Sequence, residues 1–493
     1  MKNKILYISL IALGSLSIAG CKKYLEQAPD LRATLDSPSK VSELLVTAYP
    51  HANYIPFCEA LSDNADDKGL AAGGGEAVNR DPWRFDDVQS RDIDSPDSYW
   101  NACYKAIAAT NLALKAISSA PNPNEYSMQK GEALVARAYS HFMLVTLFSK
   151  VYDANTAATD PGIPYVTEPE DIVFKKYERK TVAYVYQQIE NDLNQGLPLI
   201  KDSGYKIPKY HFTTSAAHAF AARFFLFKKD YAKVVEHANL VFAGGNILPN
   251  LRDYVASNSR SMEYATRQAY YTAASNPANI LLAEANSVWG RSYPSYRYSL
   301  TFNLVYKTIW GANVAGGTWA YQLYGRDLSL NIPKFPEHFV LTSQNGNIGD
   351  PYNMIPLFSA EEVLFNRAEA NAYLGNTAAA LKDLNDYGSK RLIISDANPI
   401  YSATTHAITE AKINSYYKPF SIQEGIVKTI LDFKRIDFMF EGQRWFDILR
   451  YNLPVVHATA DLKSTYTLGP NDPRRVLQIP AEAELAGLER NPR

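Results

Sequence analysis

The sequence predicts a mostly α-helical fold in which tetratricopeptide-like helical hairpins form a scaffold and a large loop-rich insertion carries aromatic side chains. Two segments, 214–245 and 359–391, each contain two helical patterns joined by a short turn, with small residues where the helices face each other. Repeated hairpins of this kind stack into solenoids. By contrast, residues 245–358 combine Gly, Pro, Asn and Ser with many aromatics and have no sustained helical period, which indicates an inserted region of loops.

Three further segments also have apolar residues at helical spacing. In 98–117 and 130–148 these residues recur every three or four positions, and in 177–200 the same pattern runs from Val182 to Leu193. Each segment therefore predicts a helix with one buried face.

Composition excludes some classes of partner. The chain has 493 residues, of which 46% are hydrophobic, so it is long enough to bury a large core. Its 50 basic and 51 acidic side chains give a net charge of −1. At the level of the whole chain there is therefore no excess of positive charge that would attract nucleic acid or an anionic membrane surface.

The first residues have the pattern of a signal peptide. Lys2 and Lys4 precede an apolar run over residues 5–18 that is too short to span a bilayer as a helix. The run ends in "SIAGC", where small residues precede Cys21 as they do in a lipobox, so we expect Cys21 to become an acylated first residue.

Three regions follow from that cleavage site. Residues 1–20 are the predicted lipoprotein signal peptide, and residues 21–38 are polar and contain Pro, as expected of a tether to the lipid. Residues 39–493 are then a single helical domain, with its ligand-binding loops at about 245–358.

The sequence contains none of the common catalytic or metal-binding motifs. Its eight His residues form no HExxH or HxH pattern, no GxSxG is present, and "AGGGEAV" at 72–78 lacks the Lys and Ser/Thr of a phosphate loop. The aspartates of 63–67 lack the register of a calcium loop and predict a solvated turn. Cys58 and Cys103 either form one disulfide or lie buried as free thiols. We therefore predict no enzyme, metal or cofactor.

Aromatic density in the loops is the strongest indication of a ligand site. Ten Trp, Tyr and Phe residues fall between positions 289 and 324, and such rings suit stacking on sugars or gripping extended peptides. We expect the site to be built from the irregular segments 57–97 and 264–330. The candidate ligand-binding residues are Trp83, Trp289, Tyr296, Trp310 and Trp319, with Arg80 as a polar contact.

Several blocks of sequence resemble the SusD/RagB family of outer-membrane lipoproteins. The stretch "RIDFMFEGQRWFDILR" at 435–450 resembles the C-terminal signature of that family. Further blocks at 136–169, 177–193 and 365–385, together with the closing "LQIPAEAEL…RNP", also look like family blocks and stand in family order, and their combination is highly specific. The resemblance implies a non-catalytic, lipid-anchored protein of the outer membrane that faces the cell exterior. It also implies that the protein captures glycan and delivers it to a SusC-like TonB-dependent transporter.

Other functions are compatible with the same residues. The ligand is an oligopeptide in one alternative, because aromatic loops serve either ligand. A surface glycosidase would need two carboxylates facing each other across the aromatic cleft, and a purely structural adaptor would lack exposed aromatics.

We interpret the C-terminal signature itself as scaffold. Glu441, Arg444, Asp447 and Arg450 are spaced three residues apart on a predicted helix, which permits ion pairs among them, and Trp445 is expected to be buried.

Overall fold

The structure is a computed structural model that describes residues 35–170, 176–343, 346 and 348–493. The predicted signal peptide, Cys21 and most of the tether lie outside these residues.

Helices dominate the described chain, in agreement with the predicted fold class. In chain order they are α1 (Pro38–Leu45), α2 (Ile55–Leu61), α3 (Ala77–Trp83), α4 (Pro96–Ser119), α5 (Ser127–Phe148), α6 (Val182–Gly196), α7 (Thr214–Lys228), α8 (Tyr231–Val241), α9 (Ser257–Arg260), α10 (Tyr264–Tyr271), α11 (Trp289–Ser292), α12 (Phe302–Lys307), α13 (Ala360–Tyr373), α14 (Thr377–Ser389), α15 (Ala403–His406), α16 (Glu410–Tyr416), α17 (Ile422–Asp437), α18 (Gln443–Arg450) and α19 (Ala481–Leu485).

Short strands occupy the remaining regular positions. They are β1 (Asp66–Asp67), β2 (Asn279–Asn286), β3 (Tyr298–Ser299), β4 (Thr318–Trp319), β5 (Glu337–Leu341), β6 (Gly349–Ser359), β7 (Leu392–Ile393), β8 (Val455–Ala458) and β9 (Thr465–Leu468). All of their ladders are antiparallel, with β2, β6 and β5 forming a three-stranded sheet and β1–β3, β4–β7 and β8–β9 forming pairs.

Both predicted hairpins are present, and their turns follow from local chemistry. Lys229, the residue after α7, adopts the left-handed conformation that stops the helix, and the Asp230 side chain then accepts from the backbone N–H of Lys233 to cap α8. Between α13 and α14, Gly375 adopts a φ of 77°, which residues with a Cβ rarely do. Helices α8 and α13 also pack together, which joins the two hairpins into one scaffold.

Helix α5 is more deeply buried than its sequence pattern predicts. Every residue from 131 to 148 is buried, because α4, α6 and α7 all pack against this helix. One of its buried charged side chains is paired with a neighbouring helix. Arg137 makes a bidentate contact with Asp192 of α6 at 2.7 and 2.8 Å.

The insertion is not purely a region of loops. Its sheet was missed because β2 is a nearly continuous apolar run and β6 contains two prolines, so neither shows the alternation of a half-buried strand. The sheet pairs β2, which begins at Asn279 within the insertion, with β6 at the C-terminal end of the insertion. The two cysteines of the described chain, Cys58 and Cys103, are buried free thiols, so they form no disulfide.

Candidate functional site

The structure brings together the two segments that were expected to build the ligand site. Strand β1 from the first segment pairs with β3 from the second. The side-chain amide of Asn79 both donates to the carbonyl and accepts from the N–H of Tyr298. Arg297 makes a bidentate contact with Asp67 at 2.7 and 3.0 Å. These contacts fix the loops of the insertion on the N-terminal helices.

Trp83 is a core residue at this junction, contrary to the expectation that its ring meets ligand. Its exposed fraction is 0%, and its Nε1–H donates to the carbonyl of Ala65 at 2.9 Å. Tyr298 and His457 stack on the Trp83 ring with centroids 4.3 and 5.0 Å away. Because neighbouring rings already contact it, the Trp83 indole is not available for stacking on a sugar.

Trp289 and Tyr296 are buried as well, which corrects the same expectation for them. Trp289 donates from Nε1 to the carbonyl of Phe440 at 3.2 Å, and its ring packs beside Tyr293 and Tyr296. These side chains hold α11 against the C-terminal signature and leave little surface for a ligand.

Trp310 is the exposed member of the predicted set. Half of its surface (50%) is accessible, and it packs with the more exposed Tyr306 (64%) and the half-buried Phe302 at centroid distances of 5.0 and 6.0 Å. We call these three residues the aromatic platform. Their spacing of four residues places them on one side of α12 and its extension, and this spacing in the sequence is the signal that would have added Phe302 and Tyr306 to Trp310.

Polar contacts fix the orientation of α12. The Thr301 side chain accepts from the N–H of Leu304 as the N-cap, and its hydroxyl also donates to Asp66 at 2.7 Å. Asn303 donates to the same carboxylate at 3.1 Å. The aromatic platform is therefore held on a short helix that is tied to the first segment.

A pocket of about 120 Å³ adjoins the same stretch of chain. It is lined by residues that include Lys307, Asn313, Trp319, Asp432 and Arg435. Trp319 is buried, contrary to the expectation that its ring is open to ligand, and its Nε1–H has no hydrogen-bond partner in the described chain. Polar groups beside exposed rings are the usual composition of a sugar-binding surface.

Arg80 is half-buried and already paired. Its Nε donates to Asp81 at 2.9 Å. The Asp-rich turn is likewise structural, because Asp63 accepts two hydrogen bonds from Arg444 and Asp67 is held by Arg297. The described residues contain no group of three or more His, Cys, Asp or Glu side chains placed to hold a metal ion.

The C-terminal signature forms scaffold, as expected, but its charges mostly reach other elements. Among its own residues one ion pair forms, between Asp447 and Arg450 at 3.1 Å. The partners outside the signature are Asp63 for Arg435 and Arg444, Arg391 for Asp437, Lys334 for Glu441, Lys434 for Asp447 and Glu369 for Arg450.

Close packing of apolar groups completes this scaffold. Trp445 is fully buried. Gly442 has a φ of 69°, and a Cβ there would lie 3.0 Å from the Cβ of Cys58, which explains the glycine between α17 and α18.

Two family models match the chain. Residues 23–226 match a model described as "Starch-binding associating with outer membrane", and residues 334–481 match one described as "SusD family". The second range contains the α13–α14 hairpin and the C-terminal signature, the first ends within α7, and neither covers the aromatic platform.

Individual proteins that are similar to this chain in sequence or structure are also described as SusD-like or SusD superfamily proteins. SusD-like protein P2 of Formosa agariphila is 20% identical over 400 residues, which are 72% of each chain. A SusD superfamily protein from Bacteroides thetaiotaomicron superposes with a TM-score of 0.67 at 19% identity, over 93% of this chain and 100% of that one. A SusD-like carbohydrate binding protein from Bacteroides vulgatus superposes with a TM-score of 0.60 at 18% identity, over 92% of this chain and 97% of that one. At these identities the solved structures establish the fold.

None of the helices in the described part of the chain is both long and apolar enough to cross a membrane.

Proposed function

Because this chain belongs to the SusD/RagB family, we propose that it is a non-catalytic nutrient-binding protein that captures glycan and passes it to a SusC-like TonB-dependent transporter. The observation that carries the glycan part is the aromatic platform, where Trp310 and Tyr306 present accessible rings near a pocket lined by Lys307 and Asn313. A binding protein that forms no covalent bond obtains its affinity from burial of surface. A stacked ring contributes about 1 kcal/mol of binding free energy beyond the contribution of the area it buries.

The anchor and the transporter belong to the same proposal. Acylation of Cys21 would hold the protein at the outer membrane, and the first family match begins two residues later, at residue 23. The helical scaffold offers an extended rigid face for the transporter while the aromatic platform stays open to ligand. Co-purification of the full-length protein from its native membrane should recover a large β-barrel transporter, and recovery of the protein alone would contradict this part.

Titration of the purified mature protein with a panel of glycans tests the binding site. The panel contains starch, β-glucan, xylan and pectin fragments, with a tryptic peptide digest as the test of the oligopeptide alternative. We expect Trp310→Ala to weaken binding of the best glycan about five-fold, the effect of losing about 1 kcal/mol. The matched control is Tyr184→Ala, which removes an exposed ring from α6 in the scaffold.

Three outcomes would contradict the proposal. Equal affinities for Trp310→Ala and Tyr184→Ala would place the site elsewhere. Binding of peptides but of no glycan would favour the peptide alternative. Release of new reducing ends from a bound glycan would show a glycosidase, which needs a pair of carboxylates across its cleft.

A further inference from the structure

A second cavity lies in the insertion, between the segment that follows residue 250 and helix α10. Its volume is about 450 Å³, within the range of about 300–1,000 Å³ that is typical of small-molecule sites. The side chains around it are mainly polar or aromatic, and they include Tyr254, Asn258, Ser259, Tyr270 and Asn276. None of these residues belongs to the aromatic platform or to its adjoining pocket.

Arg267 on α10 lines this cavity and is only 6% exposed. Its Nη2 makes every hydrogen bond of the side chain in the described structure, to the carbonyls of Ser259 and Met262 and to the amide oxygen of Gln322. All three acceptors are neutral. Nε and Nη1 donate to no acceptor among the described residues. The guanidinium is thus anchored through one nitrogen, and its charge has no carboxylate partner.

The other charged groups of the cavity are compensated. Arg252 pairs with Glu361 at 2.7 Å and stacks on the Tyr271 ring. Asp253 pairs with Lys390 at 2.6 Å. Arg267 therefore supplies the uncompensated charge of this cavity in the described chain.

A buried guanidinium without an anion is costly, because desolvation of the charge is repaid only by a charged or well-bonded partner. Arginine is also the side chain best shaped for oxyanions, since its planar N–H groups match the geometry of a carboxylate or a sulfate. The exposed Tyr270 ring, which is 42% accessible, adds a surface on which a sugar ring can stack.

We propose that this cavity binds a sugar unit that carries a carboxylate or a sulfate group, with Arg267 holding the oxyanion. The oxyanion is inferred from the cavity alone, whereas the sugar rests on the proposed function. The ligand class of the protein would then include acidic glycans, bound at a second position besides the aromatic platform.

Calorimetric titration of the mature protein with four probes at constant ionic strength tests the proposal. The probes are trigalacturonic acid, a sulfated glycosaminoglycan disaccharide, the neutral galactose trisaccharide and sodium sulfate. We expect at least one of the two acidic sugars to bind ten-fold or more tightly than the neutral sugar and than sulfate alone. The tighter acidic sugar identifies whether carboxylate or sulfate is the preferred oxyanion.

Variants then locate the site. Arg267→Gln should weaken the acidic sugar ten-fold or more. The control Arg260→Gln changes a nearby arginine that pairs with the exposed Asp396 and does not line the cavity, and it should have no effect. Tyr270→Ala leaves the buried guanidinium in place and should weaken binding about three-fold, so the proposal remains testable if Arg267→Gln fails to fold.

Several results would overturn the proposal. These are no binding of either acidic sugar, equal binding of sodium sulfate alone, or acidic-sugar binding that is unchanged in both cavity variants. Trp310→Ala separates the two sites. The proposed function fails if neutral glycans do not bind, or if their binding does not respond to Trp310→Ala. The proposal for the second cavity is tested separately, by the effect of Arg267→Gln on binding of the acidic sugar.

Discussion

Arg391 donates from Nε to Oδ1 of Asp437 at 2.8 Å, and both side chains are buried. The same guanidinium donates from Nη2 to Glu361 at 2.9 Å, and Glu361 in turn accepts from Arg252 in the wall of the second cavity. Tyr321 and Tyr387 also donate to Asp437. This network of alternating charges connects the insertion to helices α13 and α17 of the scaffold.

Asp437→Asn should destabilise the protein by about 3–5 kcal/mol, because it removes one carboxylate from a buried network and leaves part of the Arg391 charge uncompensated. Urea denaturation of the variant and the wild type measures the loss. The control is Asp461→Asn, which changes an aspartate on the exposed turn between β8 and β9. A loss no larger than that of the control would mean that the network does not hold the insertion in place.

Trp83→Ala and Trp310→Ala should differ sharply in stability although both remove an indole. Trp83 is enclosed by Tyr298 and His457, so its loss leaves a cavity and should cost about 3–5 kcal/mol. Trp310 is half-exposed, and its loss should change the free energy of unfolding by no more than about 0.5 kcal/mol. Equal losses in thermal or urea denaturation would contradict the assignment of one ring to the core and the other to the surface.

Asp94 should make the protein less stable as the pH rises. Burial disfavours its carboxylate and raises its pKa to about 7, although hydrogen bonds from Ser287 and from the Val288 N–H oppose the shift. An unfolded Asp loses its proton near pH 4, so the folded state binds more protons between about pH 4 and 7. The stability contribution of this group is therefore present below pH 4 and is lost as the pH rises through 7.

Asp94→Asn tests this pH dependence. The amide keeps an acceptor for Val288 and tolerates the φ of 68° at this position. Between pH 5 and 8 the wild type should lose on the order of 2 kcal/mol more stability than the variant. Urea denaturation at both pH values measures the difference, and parallel losses in the two proteins would refute the raised pKa.

Cys21→Ala should release the mature protein from the membrane fraction, because acylation at this cysteine is the expected anchor. Fractionation of cells that express the full-length chain, followed by immunoblotting, measures the distribution. Cys58→Ala is the matched control, since this cysteine is buried in the folded domain and should leave the fractionation unchanged. Firm membrane association of the Cys21 variant would disprove the lipid anchor.

Local sequence determined much of the helical scaffold. The segment predicted at 98–117 forms Pro96–Ser119, and the segment at 130–148 forms Ser127–Phe148. The turn between α7 and α8 also lies at the predicted Lys-Lys-Asp. Helix periodicity, caps and turn residues act over a few positions of the chain, so a sequence pattern is sufficient to reveal them. The C-terminal signature identified the family for a related reason, since its residues are adjacent in sequence.

Only the tertiary structure decided which aromatic side chains are open to a ligand. Trp83 and Trp310 occur in similar loop-rich sequence, yet Trp83 is enclosed by residues from β3 and β8, whereas Trp310 packs against rings of its own short segment. The same applies to Arg267, whose guanidinium is also held in place by the amide oxygen of Gln322, 55 residues away in the sequence. Burial and charge compensation are set by partners distant in sequence, and the amino-acid pattern around one residue does not contain them.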